Sequence, residues 1–247
     1  MATLVTPTMG TTASFDVRDA GIDRGVLAGA VAVLAELETR FTTYHPDSEI
    51  CRIDRGELAV EDAHPDVREV LDACGVLRAE SDGAFDACRD GHLDPSGYVK
   101  GWAAERAADV LRRAGARDFA LNVGGDIVCA GEPVAGSPWR IGVRHPDDAA
   151  QVVLVLGVRD GAVATSGLYE RGAHVSDART GEVPSTWRSI TVHAPDLATA
   201  DAIATAALAM GEQGPAWAAA RPGCAVAAMD AGGRLWTSPG LEAARVA

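Results

Sequence analysis

The sequence has little of what a disulfide scaffold, a zinc module or a nucleic-acid binder needs. Its 247 residues include five cysteines, Cys51, Cys74, Cys88, Cys129 and Cys224, none in a C-x-x-C pair. An odd, scattered set argues against a disulfide framework or a zinc knuckle. The six histidines are equally dispersed and form no H-E-x-x-H. Basic residues are outnumbered, 22 against 35 acidic ones, giving a net charge of −13. That argues against a nucleic-acid partner, which requires a basic face. No window approaches the roughly 18 consecutive apolar residues of a membrane span, so no membrane insertion is expected. The N-terminus lacks a basic stretch leading into a long apolar one, and no lipobox-like Cys lies near it. The expected location is cytoplasmic. Internal repeats and low-complexity linkers are missing too.

What is present is an ordinary globular composition, 47% apolar and 23% charged, in a chain long enough to bury a substantial core. "MGTTASFDVRD" predicts a first strand. Residues 22–44 then carry Val26, Ala30, Val33, Leu34, Leu37 and Phe41 on one helical face, and "HPDSE" breaks the pattern. Residues 65–80 predict a second helix with Pro65 at its start. "VKGWAAERAADVLRRAGA" predicts a third, ended by Gly115. Between these two, "SDGAFDA" predicts a turn. The next section reads as strands: two around Gly124-Gly125, one in "PWRIGVRHP", two in "QVVLVLGVRDGAVATSG" and one in "SITVHAP". A helix over 196–214, a short helix in "GPAWAAARP" and a hairpin around Gly232-Gly233 complete the chain. Strands and helices in this mixed order predict an α+β fold.

Four stretches carry possible chemistry. In "DLATADAIATAALAMGEQG", Asp201 and Thr205 lie four apart, on one helical stripe. They read either as a dipole-favoured Asp with a Thr bonded back to its own helix, or as half of a site for a hard divalent cation. In "HLDPSGYVKGWAAE", Asp94, a Pro-Ser-Gly turn and Lys100 are a turn and a solvated lysine, or exposed backbone groups and a point charge for a phosphate. "LNVGGDI" marks either a tight crossing or a close approach of backbone to a ligand. "VATSGLYERGAHVSDARTG" concentrates Thr165, Ser166, Tyr169, Arg171, His174 and Asp177 in one strand–loop–strand segment. These groups satisfy turns or line a pocket. No G-x-S-x-G is present, and "TSG" alone is a weak sign of a nucleophile.

Taken in order, "MGTTASF", "FTTYHPDSEICRID", "SDGAFDA", "DPSGYVKGWAAERAADVLRRAGARDFALNVGGDI", "VATSGLYERGAHVSDARTGEVP" and "APDLATADAIATAALAMG" resemble the blocks of the ApbE-type FAD:protein FMN transferases. The resemblance runs from Met9 to about Gly211. It implies a single flavin transferase domain over residues 1–247. The implied fold is a compact α+β unit, with a mixed or antiparallel sheet flanked by helices and an FAD cleft between two lobes. It also implies an enzyme that splits FAD at its pyrophosphate and attaches FMN through a phosphoester to a Thr or Ser of a target flavoprotein, releasing AMP. On the same grounds Mg²⁺ is expected on Asp201, Thr205 and the Gly97 carbonyl. FAD is expected against Met9, Tyr44, Ala84, Phe85, Asp86, Asp94 and Lys100, with His174 near the flavin. His174 and Asp177 are both candidates for the general base. Cys51, Asp54 and Ala87 depart from the residues common in the family's blocks, and the stretch from Asp86 to Asp94 is short. Two other functions fit the same motifs: hydrolysis of FAD to FMN and AMP, and FAD binding without chemistry.

Overall fold

The structure is a computed structural model, which describes residues 1–168 and 175–246 except for the side chain of residue 243. In chain order the strands are β1 (Ala2–Thr8), β2 (Thr11–Val17), β3 (Cys88–Arg89), β4 (His92–Leu93), β5 (Phe119–Val123), β6 (Asp126–Ala130), β7 (Trp139–Arg144), β8 (Val152–Val158), β9 (Gly161–Gly167), β10 (Trp187–Ala194), β11 (Ala225–Asp230) and β12 (Leu235–Thr237). The helices are α1 (Arg24–Phe41), α2 (Glu49–Asp54), α3 (Pro65–Glu80), α4 (Ser96–Arg113), α5 (Leu197–Ala209), α6 (Gly214–Ala219) and α7 (Pro239–Ala244). Eight strands form one sheet in the order β1-β2-β5-β6-β9-β10-β11-β12. Every pairing in it is antiparallel, as the α+β expectation allows.

Alternation along the strands gives the sheet two covered faces. Phe119, Leu121 and Val123 of β5, Val128 of β6, Ala162 and Ala164 of β9, and Ile190 and Val192 of β10 join the main core with α1, α4 and α5. The opposite face carries Cys129, Val163, Ala225 and Ala227 and is covered by the β7–β8 hairpin with Leu241 of α7. The hairpin therefore leaves the main sheet, although the sequence pattern places all these strands together. Its Trp139, Ile141 and Val143 alternate with exposed residues, so it buries one face only.

Local sequence explains most element boundaries. Asp23 caps α1 by accepting from the amides of Gly25 and Val26 at 2.8 and 3.1 Å, and Asp196 caps α5 through the Thr199 amide at 2.8 Å. Helix α1 ends at Phe41, three residues short of expectation, and α4 begins at Ser96, three residues before Val99. Strand β1 extends the expected first strand backward into a hairpin. Its two-residue turn puts Met9 at φ 48° and Gly10 at φ 68°, the left-handed pair that such a tight hairpin requires. Helix α5 is apolar almost all round because α4 lies on one side of it and β9 and β10 on the other.

Candidate active site

Helices α4 and α5 cross closely enough that only a glycine fits at the crossing. A Cβ on Gly101 would lie 2.5 Å from the Leu197 carbonyl oxygen and 2.6 Å from the Asp201 Cβ. The two segments, about a hundred residues apart in sequence, touch directly on one face of the sheet.

This crossing carries a buried polar cluster. Asp201 is 3% exposed. Its Oδ2 accepts from the Gly101 amide at 2.8 Å and its Oδ1 lies 3.2 Å from the Lys100 ammonium. Lys100, the only lysine among the chain's 22 basic residues, also pairs with Oδ2 of Asp126. Asp126 is 2% exposed, and its Oδ1 accepts from the Thr165 amide at 2.9 Å. Apart from Lys100, its Oδ2 has no partner among the described residues. One turn along α5, the Thr205 hydroxyl shares a 2.9 Å hydrogen bond with Ser166 at the end of β9. A Cβ on Gly97 would sit 3.3 Å from the Thr205 methyl and 3.0 Å from the Phe85 ring, so Gly97 lies closely against both Phe85 and Thr205.

The structure thus brings together Gly97, Lys100, Asp201, Thr205 and Phe85 from the expected set. It adds Ser166, one of the polar groups of the 163–181 segment, and Asp126, the acid of "LNVGGDI". Asp126 sits immediately after the Gly124-Gly125 turn, whose positive φ values of 62° and 98° allow a tight β5–β6 hairpin. The two glycines shape the turn, and the acid behind them pairs with Lys100 on α4. Met9 lies at the same end of the sheet: the Gly124 amide donates to the Thr12 carbonyl at 3.0 Å, beside the Met9-Gly10 turn.

The remaining expected residues are placed differently. Asp94 accepts from the Ser96 amide at 3.0 Å and so orders the entry to α4. Asp86 pairs with Arg78 at 2.7 Å and accepts from the Cys88 amide. Ala84 is fully buried, and its carbonyl accepts from the Ala178 amide at 3.0 Å, which docks the loop holding Asp177 beside the Phe85 turn. Both carboxylate oxygens of Asp177 are engaged by Arg179, at 2.8 and 2.6 Å. This guanidinium holds the Asp177 carboxyl below the usual carboxylate range. Tyr44 is 97% exposed. His174 lies outside the described residues.

A cavity of about 430 Å³ lies elsewhere, between α2, α3 and the β3–β4 hairpin, with Ile53, Leu71, Cys74 and Leu93 among its walls. Only Asp86 and its neighbours connect it to the expected flavin residues. Burial pushes the Cys74 thiol up to about 12, and that of Cys129 likewise, which suits inert structural thiols. Among the described residues no helix is long and apolar enough to cross a membrane.

A buried carboxylate–lysine–carboxylate cluster stands where two helices meet the end of an antiparallel sheet in an α+β fold. Comparison with known proteins shows the family. The model of the ApbE family matches residues 9–89 and 87–228, and the chain belongs to that family. It is 31% identical over 132 residues to an FAD:protein FMN transferase of Haemophilus influenzae, covering 49% of this chain and 38% of the relative. It is 34% identical over 161 residues to one of Rhodobacter capsulatus, covering 61% and 30%. The aligned part of the chain thus spans well under two thirds of these relatives' length. Among solved structures, a flavinyl transferase of Pseudomonas stutzeri superposes with TM-score 0.84 at 25% identity, covering 98% of this chain and 96% of the other. A flavin transferase of Vibrio cholerae gives 0.86 at 24%, covering 98% of each.

Proposed function

We propose that this chain is a Mg²⁺-dependent FAD:protein FMN transferase, acting as one unit over residues 1–247. It cleaves FAD, joins FMN through a phosphoester to a Thr or Ser of a flavoprotein, and releases AMP. The observation that carries this reading is the buried Asp201 carboxylate and the half-buried Thr205 hydroxyl beside Gly97, faced by the chain's only lysine. The names of the relatives support the activity.

The donor set fits a hard divalent cation. It consists of a buried carboxylate, a hydroxyl and a backbone carbonyl, all oxygen, with places left for substrate phosphate. Asp201 already meets a positive charge in Lys100, so its pocket is built to neutralise a cation. In an α-helix the Gly101 amide would serve the Gly97 carbonyl alone, but here it also donates to Asp201. That leaves the Gly97 oxygen less committed to its own helix. When bound, Mg²⁺ supplies positive charge to the pyrophosphate oxygens, on which phosphoryl transfer depends.

The chain's own residues then have definable tasks. Lys100 places a point charge beside the phosphates. Phe85 and Gly97 shape the wall next to Thr205. The acceptor hydroxyl oxygen bonds to the FMN-side phosphorus, and the bond from that phosphorus to the bridging oxygen breaks. AMP departs with the bridging oxygen, and the hydroxyl proton passes to a base. With both oxygens held by Arg179, Asp177 suits ordering its loop better than taking that proton. His174 is the other candidate.

Incubation with FAD and Mg²⁺, with and without an acceptor flavoprotein, tests the reading. AMP with flavin bonded to the acceptor is expected. AMP with free FMN even when acceptor is present would make the chain a hydrolase, and unchanged FAD would make it a binder.

A further inference from the structure

We infer that Asp126 is a positioning residue for Lys100. It is the second seat of the ammonium, which neutralises Asp201 in the ligand-free protein and withdraws onto Asp126 when a divalent cation takes Asp201. The inference rests on the proposed role of Asp201 as a metal ligand and goes beyond it, to the residue that makes the exchange possible.

Three observations support it. First, one ammonium serves two carboxylates that are almost wholly buried, Asp126 on β6 and Asp201 on α5. A buried carboxylate deprived of its only cation is strongly destabilising. Lys100 therefore cannot leave both seats at once without exposing the fold to that cost. Second, the seats are not equivalent. Asp201 has a second donor in the Gly101 amide on the oxygen Lys100 does not use, and it lies one turn from Thr205, within reach of the hard-oxygen set. Asp126 has its Oδ1 fixed by the Thr165 amide of β9, and among the described residues its Oδ2 faces Lys100 alone. A cation arriving at Asp201 replaces the charge Lys100 supplied there, and no other described residue supplies one at Asp126. Third, the ammonium is the more mobile party. The Lys100 side chain is 24% exposed, against 3–4% for the two carboxylates, and its stem has four rotatable carbons. Pivoting on Asp126, Lys100 exchanges Asp201 for a phosphate oxygen without becoming unpaired. The direction from which it meets the substrate is then set by β6 and not by its own helix.

The chain's single lysine makes the movement observable. Lysine labelled with ¹³C and ¹⁵N at the side-chain end gives one ammonium signal, from Lys100, in the 247-residue chain. Mg²⁺ is added alone, with no FAD, and its affinity is measured by calorimetry. In the wild type the signal should shift as Mg²⁺ saturates. Lys100→Ala should bind Mg²⁺ more tightly than wild type, because the competing ammonium is gone. Asp126→Asn should weaken Mg²⁺ binding by about tenfold when Lys100 is present, because the displaced ammonium has no charged seat. In the Lys100→Ala background the same change should cost about threefold or less, the general effect of one lost negative charge. Equal losses in the two backgrounds, or weaker Mg²⁺ binding by Lys100→Ala, would overturn the inference. Asp126→Glu, which keeps the charge and moves its position, should give an affinity between wild type and Asp126→Asn. An Asp126→Glu affinity as weak as that of Asp126→Asn would also count against it. Asp201→Asn separates the two levels of argument: unchanged Mg²⁺ affinity in that variant would refute the metal assignment itself.

Discussion

Gly101→Ala is the sharpest test of the geometry, because two effects of opposite sign compete. On an exposed helix the change would stabilise by about 1 kcal/mol, since glycine is a poor helix former. Here the new methyl would stand 2.5 Å from the Leu197 carbonyl oxygen and 2.6 Å from the Asp201 Cβ. Both are fixed points of α5, with no flexible side-chain end to yield. Comfortable contact needs about 3.5–4 Å, so α4 and α5 must separate by roughly 1 Å. Overpacking of this kind costs about 1–3 kcal/mol. The separation also stretches the 2.8 Å bond from the Gly101 amide to Asp201, a hydrogen bond to a charged group worth about 1.5–3 kcal/mol. Net destabilisation of about 2–4 kcal/mol is expected, a fall in Tm of roughly 5–15 °C for a chain of this size. Calorimetry and urea unfolding of the purified variant would measure it. A variant as stable as wild type, or more so, would refute the close crossing and with it the placement of Asp201 against α4.

Further expectations concern the site and its surroundings. Asp201→Asn should remain folded while AMP release at saturating FAD and Mg²⁺ falls by at least about a hundredfold, because a charged ligand for the cation is lost; release near the wild-type rate would contradict the assignment. Mg²⁺ and FAD added together should raise Tm by more than the sum of their separate shifts, since phosphate completes the coordination that the protein leaves open; strictly additive shifts would count against a phosphate–metal bridge. Burial pushes His193 below its ordinary value of 6.5, so the unfolded chain holds that proton more tightly than the folded one. His193 should therefore cost nothing well above pH 6.5 and should lower stability as pH falls through 6.5 toward its depressed folded value. His193→Gln should remove that part of the pH dependence, and an unchanged stability profile in the variant would refute it.

The sequence alone determined much of this protein. Helix α3 begins at Pro65 and ends at Glu80 as its pattern and its N1 proline require. The stripe through Leu34, Leu37 and Phe41 is the buried face of α1. The Asp-x-x-x-Thr spacing already put a carboxylate and a hydroxyl on one side of α5, because that relation is local and depends only on helical pitch. Elements too short to show a period escaped: α2 and α7 have six residues each, and β1 is interrupted by Pro7, which the edge position of that strand tolerates. What only the tertiary structure decided is which distant groups meet. No pattern along the chain tells that the β7–β8 hairpin covers the back of the sheet, that Gly101 is the crossing point of α4 and α5, or that Asp126 and Asp201 share one ammonium. These facts depend on how the faces of separate elements pack together. Periodicity tells which face of an element is buried, and packing alone selects the partner that buries it.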